Sequence, residues 1–360
     1  CAVRMTPEVV VKDWSVFKKM TDVSKITKLL LKYINPNTND HDIQDLTSRL
    51  ARCTSLQTLN LYGFQLTDAF GVVFSKALAT NTSLSSLILG GNKFGEDTGV
   101  AFGAALTTNT SLHTIDLHQN QLKAKGAAAI IRGLTNNTTL RVLKIGSNQL
   151  STNFKVVLHN ILANKTALYE LDLSRSNLGD QWGVAIATWL ATNTTLKTLR
   201  LRENDLGEKS GVEFANALTT NTSLSKLSLD NNNLGSESGV AFGKVLATNT
   251  SLRVLELGYN NLGDAAGVVF AKSLTTNTSL RYLYLGGNTL GDEFGAALGK
   301  ALVTNTSLEE LYLGENKLGN ASGVAFGQAL ATNTSLRVLT LEDNNLGDTT
   351  GVVFGKSLAT

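Results

Sequence analysis

Leucines fall on a fixed grid along this chain, at Leu56, Leu84, Leu112, Leu140, Leu168, Leu196, Leu224, Leu252, Leu280, Leu308 and Leu336, a period of 28 residues. Each opens an L-x-x-L-x-L segment, as in Leu252, Leu255 and Leu257, followed by Asn260 and Leu262. The alternation predicts a short strand with Leu255 and Leu257 pointing inward and Val254, Glu256 and Gly258 outward. Helical spacing follows, with Gly267, Phe270 and Leu274 on one stripe. A strand–helix unit of this size cannot bury its apolar face alone. Stacked copies can, with the strands forming a parallel sheet and the helices a second layer. The predicted fold class is therefore α/β, a solenoid.

Three columns run through the array. Asn92, Asn120, Asn148, Asn204, Asn232, Asn260, Asn288, Asn316 and Asn344 stand where each strand turns. A buried asparagine there satisfies backbone groups freed by the turn, and stacking lets neighbouring repeats share the bonds. Glycine recurs inside the helices at Gly71, Gly99, Gly183, Gly211, Gly239, Gly267, Gly295, Gly323 and Gly351. At a cost of about 1 kcal/mol each relative to alanine, this predicts close packing of successive helices. Phenylalanines, among them Phe102, Phe214, Phe242, Phe270 and Phe326, fill the space beside them. Asp264, after the turn glycine Gly263, is the expected helix N-cap.

This pattern resembles the ribonuclease-inhibitor class of leucine-rich repeats, over residues ~26–360. The same repeat class occurs in intracellular immune receptors and Ran GTPase-activating proteins. The resemblance implies a horseshoe with strands on the concave face and helices on the convex face, in a class made mostly of protein-binding scaffolds. It is confined to the repeat: mammalian ribonuclease inhibitors are rich in cysteine, and this chain has only Cys1 and Cys53.

Residues 1–55 read as an N-terminal cap and an atypical first repeat, and residues 56–360 as eleven regular repeats of one solenoid domain. Thr6-Pro7-Glu8 marks an expected helix start, with Val10, Trp14 and Phe17 at helical spacing. Ile26, Leu29 and Leu31 predict an off-register strand, with Asp40–Arg52 as its helix. No C-terminal cap is visible after Ala359-Thr360, so weak end-to-end self-association through an open edge is expected.

A net charge of +3 and a charged fraction of 17% imply no polyanionic partner. No apolar run approaches the ~20 residues of a membrane span, and no signal-peptide core opens the chain. Asn-x-Ser/Thr sequons recur at Asn81, Asn109, Asn137, Asn193, Asn221, Asn249, Asn277, Asn305 and Asn333. They fall in the turn from helix to next strand, where asparagine and threonine or serine satisfy backbone groups. That reading favours a cytoplasmic protein over a secreted, glycosylated receptor.

Catalytic chemistry finds little footing. Gly351 to Ser357 resembles a phosphate-binding loop but is one residue short between its glycines and falls on the repeat's helix. Asp116 and His118 should share the concave side, but His113 lies most of the strand length away and the aligned Gly90 and Gly146 offer no third ligand, so no metal or other cofactor is expected. No nucleophile–histidine–carboxylate arrangement assembles, and the expectation is a protein that is not an enzyme. A GTPase-activating role of the Ran type is the alternative that the resemblance keeps open.

The outward strand positions are more informative. Asp116, Lys144, Asp172 and Arg200 alternate in sign on adjacent strands and predict mutual ion pairs. Lys144, Arg200 and Arg202 mark the middle of the face and Glu310 and Glu315 its C-terminal end. Interleaved Glu170, Asp172 and Glu203 argue against a nucleic-acid groove. Tyr259, Tyr282, Tyr284 and Tyr312 cluster on three consecutive repeats beside Glu256 and Glu310. Exposed tyrosines in such company have the makeup of a protein-binding hot spot. Trp182 and Trp189, on one helix, are expected to pack into the core. The function expected is a non-catalytic scaffold that binds a protein partner on its concave face.

Overall fold

The computed structural model describes residues 10–11, 19–20, 22–31, 45, 48–50, 52–150 and 167–357. Two compact units make up the chain, Cys1–Ser176 and Asn177–Thr360. The first contains strands β1 (Val10–Val11), β2 (Lys28–Leu30), β3 (Thr58–Asn60), β4 (Ser86–Ile88), β5 (Thr114–Asp116), β6 (Val142–Lys144) and β7 (Glu170–Asp172), with helices α1 (Asp68–Thr80), α2 (Glu96–Leu106) and α3 (Lys123–Gly133). Its strands pair in chain order, all parallel.

In the second unit, α4 (Asp180–Thr192) is followed by β8 (Thr198–Arg200), α5 (Glu208–Thr220), β9 (Lys226–Ser228), α6 (Gly235–Leu246), β10 (Val254–Glu256), α7 (Asp264–Leu274) and β11 (Tyr282–Tyr284). The unit continues with α8 (Asp292–Thr304), β12 (Glu310–Tyr312), α9 (Asn320–Leu330), β13 (Val338–Thr340) and α10 (Asp348–Ser357). These strands are again parallel, and the leucine grid sets their register: Leu227 pairs with Leu255, Leu255 with Leu283, and Leu283 with Leu311. Each of those leucines is fully buried, as are Leu229, Leu257, Leu285 and Leu313 two residues on, while the flanking strand residues face solvent to varying degrees. Both units are thus parallel sheets with helices flanking one side, the solenoid that the spacing predicts.

Two asparagine ladders tie successive repeats together. At the strand exit, Asn288 Nδ2 donates to Leu257 O at 3.1 Å and Leu285 O at 2.9 Å, and its Oδ1 accepts from Leu262 N at 2.9 Å. The sequon column forms the other ladder. Asn277 Nδ2 donates to Leu246 O at 2.7 Å and Asn249 O at 3.3 Å, and its Oδ1 accepts from Ser279 N and Leu280 N. Asn109, Asn137, Asn221, Asn249 and Asn305 are buried in the same arrangement. The turn reading of these motifs therefore holds, and the nitrogen that would carry a sugar is spent on carbonyls of the preceding repeat.

The structure corrects two local expectations. Gly263, not Asp264, is the N-cap of α7, and it offers no side-chain cap. Asp264 instead reaches the next repeat, where its Oδ1 accepts from Gly291 N at 2.7 Å and Phe294 N at 3.2 Å. Asp180 and Asp292 cap the following helices in the same way. A Gly-Asp pair reads locally as a cap, but the free amides that it serves lie one repeat away. Val10, expected on a helix, is instead in β1 and pairs with Lys28; two adjacent β-branched valines suit an extended edge. Trp14 and Phe17 lie outside the described residues. The off-register strand is present as β2, with Leu29 opposite Leu59. Of its expected helix, residues 48–50 are helical and most of the rest lies outside the described residues.

The glycine column explains itself at Gly211. A Cβ there would overlap the Ser238 side chain of the next helix, so the absent methyl is what lets α5 and α6 approach. Phe214, Phe242, Phe270 and Phe326 are fully buried beside that contact. Trp182 and Trp189 are buried on α4, the core position expected of them.

Candidate interaction face

On the strand face of the second unit, the four tyrosines come together. Tyr282 and Tyr284 leave β11 from outward positions, and Tyr312 leaves β12 directly opposite Tyr284. Ring centroids of Tyr282 and Tyr312 are 5.0 Å apart. Tyr284 stands perpendicular to Tyr312 at 6.2 Å and edge-on to Tyr259 at 6.5 Å. Such tilted arrangements suit the quadrupoles of aromatic rings.

Tyr259 reaches this group from a left-handed turn position that recurs along the array, as at Glu203, Asn231 and Glu315. It follows β10 in the left-handed region, at φ 54°, in a turn position that glycine fills one repeat later at Gly287. A bulky side chain there is disfavoured by about 1 kcal/mol. Its ring lies over Gly287, where a Cβ would overlap it, and its hydroxyl donates to Glu315. Tyr284 is seated in the same manner over Gly258 and Gly286. The sequence thus places its glycines where the rings lie down.

Carboxylates frame the rings. Tyr312 Oη donates to Glu310 Oε2 at 2.7 Å, and Glu256 pairs with Lys226. Asp230, not among the residues that the sequence analysis singled out, is only 6% exposed. It accepts from Ser228 Oγ at 3.0 Å and Gly258 N at 3.1 Å. Burial first, and then the charge of Glu256, push its carboxyl up to about 6, against the opposing pull of those hydrogen bonds and of Arg202. A size signal could have found it, because three glycines, Gly258, Gly286 and Gly314, follow Asp230 in its column.

The expected basic residues are dispersed. Arg202 Nε pairs with Glu203 at 3.0 Å, and Arg200 is half-buried on β8. Lys144 belongs to the first unit, where it lies 3.6 Å from Glu170. The alternating charges do not pair as expected there: Asp116 binds His118 Nδ1 at 2.6 Å, and Asp172 accepts from Ser174 N. Lys144 leans diagonally to the outer carboxylate instead of straight across the ladder. Tyr62 stacks on His118 at 5.5 Å and donates to Gln119, a smaller aromatic group on the first unit.

The Gly351–Ser357 segment is helical, within α10. Among the described residues no three histidine, cysteine, aspartate or glutamate side chains could hold a metal, and no helix is long and apolar enough to cross a membrane.

Fold and repeat together define a leucine-rich-repeat protein. The leucine-rich-repeat family model matches residues 108–130, 192–215, 220–243, 248–271, 276–299, 304–327 and 332–353. Among solved structures, an internalin (InlF) from Listeria monocytogenes is 20% identical with a TM-score of 0.50, covering 86% of this chain and 87% of its own. The actin-binding site 2 of leiomodin-1 is 18% identical with a TM-score of 0.34, covering 42% of this chain and 89% of its own. Likeness at these levels concerns the fold alone. No curated protein matches the sequence.

Proposed function

We propose that this protein is a non-catalytic scaffold of the ribonuclease-inhibitor repeat class, which binds another protein on the strand face of its second unit. The observation that carries this is the packed group of Tyr259, Tyr282, Tyr284 and Tyr312, seated on glycines and open to solvent on one side. A core would use leucine or phenylalanine at such cost to the turn backbone; a recognition surface uses tyrosine, which offers area and a hydroxyl with little entropy to lose. Glu256 and Glu310 flank the rings and Arg202 acts on Tyr284 through space, the polar surround expected of an interface rim, while Arg200 stands farther off on β8.

Affinity capture with the wild-type chain, set beside Tyr284→Ala and Tyr312→Ala chains, tests the reading. A partner held by the wild type should bind the Tyr284→Ala chain more weakly by ~2 kcal/mol or more, with the far-ultraviolet circular dichroism unchanged. A partner that binds wild type and both variants equally places the site elsewhere.

A further inference from the structure

We infer that the tyrosine surface takes a cationic side chain, arginine above lysine, presented by a segment of the bound protein. This rests on the protein-binding reading and names the chemistry of its partner. Lys226 is held by Glu256. Arg253 Nη1 donates to Thr250 O and Ser279 O, and Arg281 Nη1 to Thr278 O and Ser307 O, so both are tied to turns at the start of the strands. Asp230, Glu310 and Glu315 receive only neutral donors, and none of them forms an ion pair among the described residues.

The result is a patch in which Glu256 is matched by Lys226 and Arg202 acts on Asp230 only through space, while Glu310 and Glu315 have no ion pair among the described residues and ring faces supply the exposed walls. Tyr282 reports that field: burial chiefly, then Glu256, Tyr312, Asp230 and Glu310, push its hydroxyl above the ordinary phenol range. A cation over a tyrosine face is attracted by the ring quadrupole, and more so as it loses water. Tyr284 and Tyr312 meet at right angles, and Glu310, which stands opposite Tyr282 in the ladder, accepts from the Tyr312 hydroxyl, so ring face and carboxylate lie on the same patch. A planar guanidinium stacks on the face while its N–H fork reaches a carboxylate, whereas an ammonium satisfies one of the two at a time. An acidic segment would be repelled. An apolar one would cover Asp230, Glu310 and Glu315 without a counter-charge, which is costly.

Calorimetric titration of the full chain with tetra-arginine, tetra-lysine and tetra-citrulline separates these cases. The chain carries a formal net charge of +3, so overall charge does not favour a polycation and local geometry must. Tetra-arginine should bind tightest, tetra-lysine more weakly, and the neutral citrulline peptide not at all. The double variant Glu310→Gln, Glu315→Gln should lose about tenfold in affinity. Tyr284→Phe should retain binding and Tyr284→Ala lose it, while Glu96→Gln on the first unit should change nothing. Equal binding of the arginine and citrulline peptides, or a double variant indistinguishable from wild type, overturns the inference. Should Tyr284→Ala weaken the captured protein while tetra-arginine fails to bind, the protein-binding reading stands and only the cation falls. Should tetra-arginine bind at Tyr284 while the captured protein ignores the tyrosine variants, the reading itself fails.

Discussion

At the scale of single residues, Asp230 is the position where stability and recognition pull apart. A carboxylate this buried, in no ion pair among the described residues, disfavours the folded state whenever it is ionised. Its folded value of about 6 lies above the ordinary aspartate value of 3.8, so the native state holds the proton more tightly. The associated stability is fully present below about pH 4 and is lost as pH rises through about 6. Asp230→Asn keeps an acceptor for Gly258 N and removes the charge. Urea denaturation at pH 8 should show a gain on the order of 1–2 kcal/mol, and the contribution between pH 4 and 6 should flatten. An unchanged midpoint at pH 8 would contradict the burial cost. Tyr282, Tyr284 and Tyr312 were legible in the sequence because outward strand positions follow from a period of two; Tyr259, in a left-handed turn, is not placed by that period. Asp230 stands out only by size, in a column that glycine fills in the next three repeats, and its burial and its bond to Gly258 of the next repeat show only once the repeats stack.

Elements show the same division between what a local pattern reveals and what it hides. The helix glycines could be read as close-contact positions from their cost alone, but their partner could not. It is the side chain just before the next glycine, Ser210 for Gly183 and Ser238 for Gly211. This gives a paired expectation. Gly211→Ala should cost about 1–3 kcal/mol by overpacking against Ser238. Gly351→Ala, with nothing within 4 Å of the added methyl, should gain up to about 1 kcal/mol from helix propensity. Thermal melts of the two variants should therefore shift in opposite directions, and shifts of the same sign would show that the column serves something other than packing. Asp264 differs from its expected role for the complementary reason: beside its own helix start it has the look of a cap, and only stacking reveals that it serves the next helix.

At the scale of the whole molecule, burial is uniform along the interior repeats and falls at β13. Leu339, Leu341 and Phe354 are half-buried, whereas Leu311, Leu313 and Phe326, one repeat earlier, are fully buried. In this 360-residue chain, amide exchange should be faster in β13 than in β10, and equal protection would show that the edge is no weak point. The sequon ladder carries a further consequence for where the protein folds. An N-linked sugar is attached to Asn Nδ2 as a chain enters a glycosylating compartment, before it folds. Here that nitrogen must donate to two carbonyls of the preceding repeat, at Asn109, Asn137, Asn221, Asn249, Asn277 and Asn305 alike. A sugar at any of them would strip a buried bond and wedge the repeats apart, and several together would prevent stacking. We therefore propose that the protein folds and acts where no such transfer occurs, in the cytoplasm. Mass spectrometry of protein from its native source should find all six asparagines unmodified, and sugar on even one of them in the folded protein would overturn the proposal.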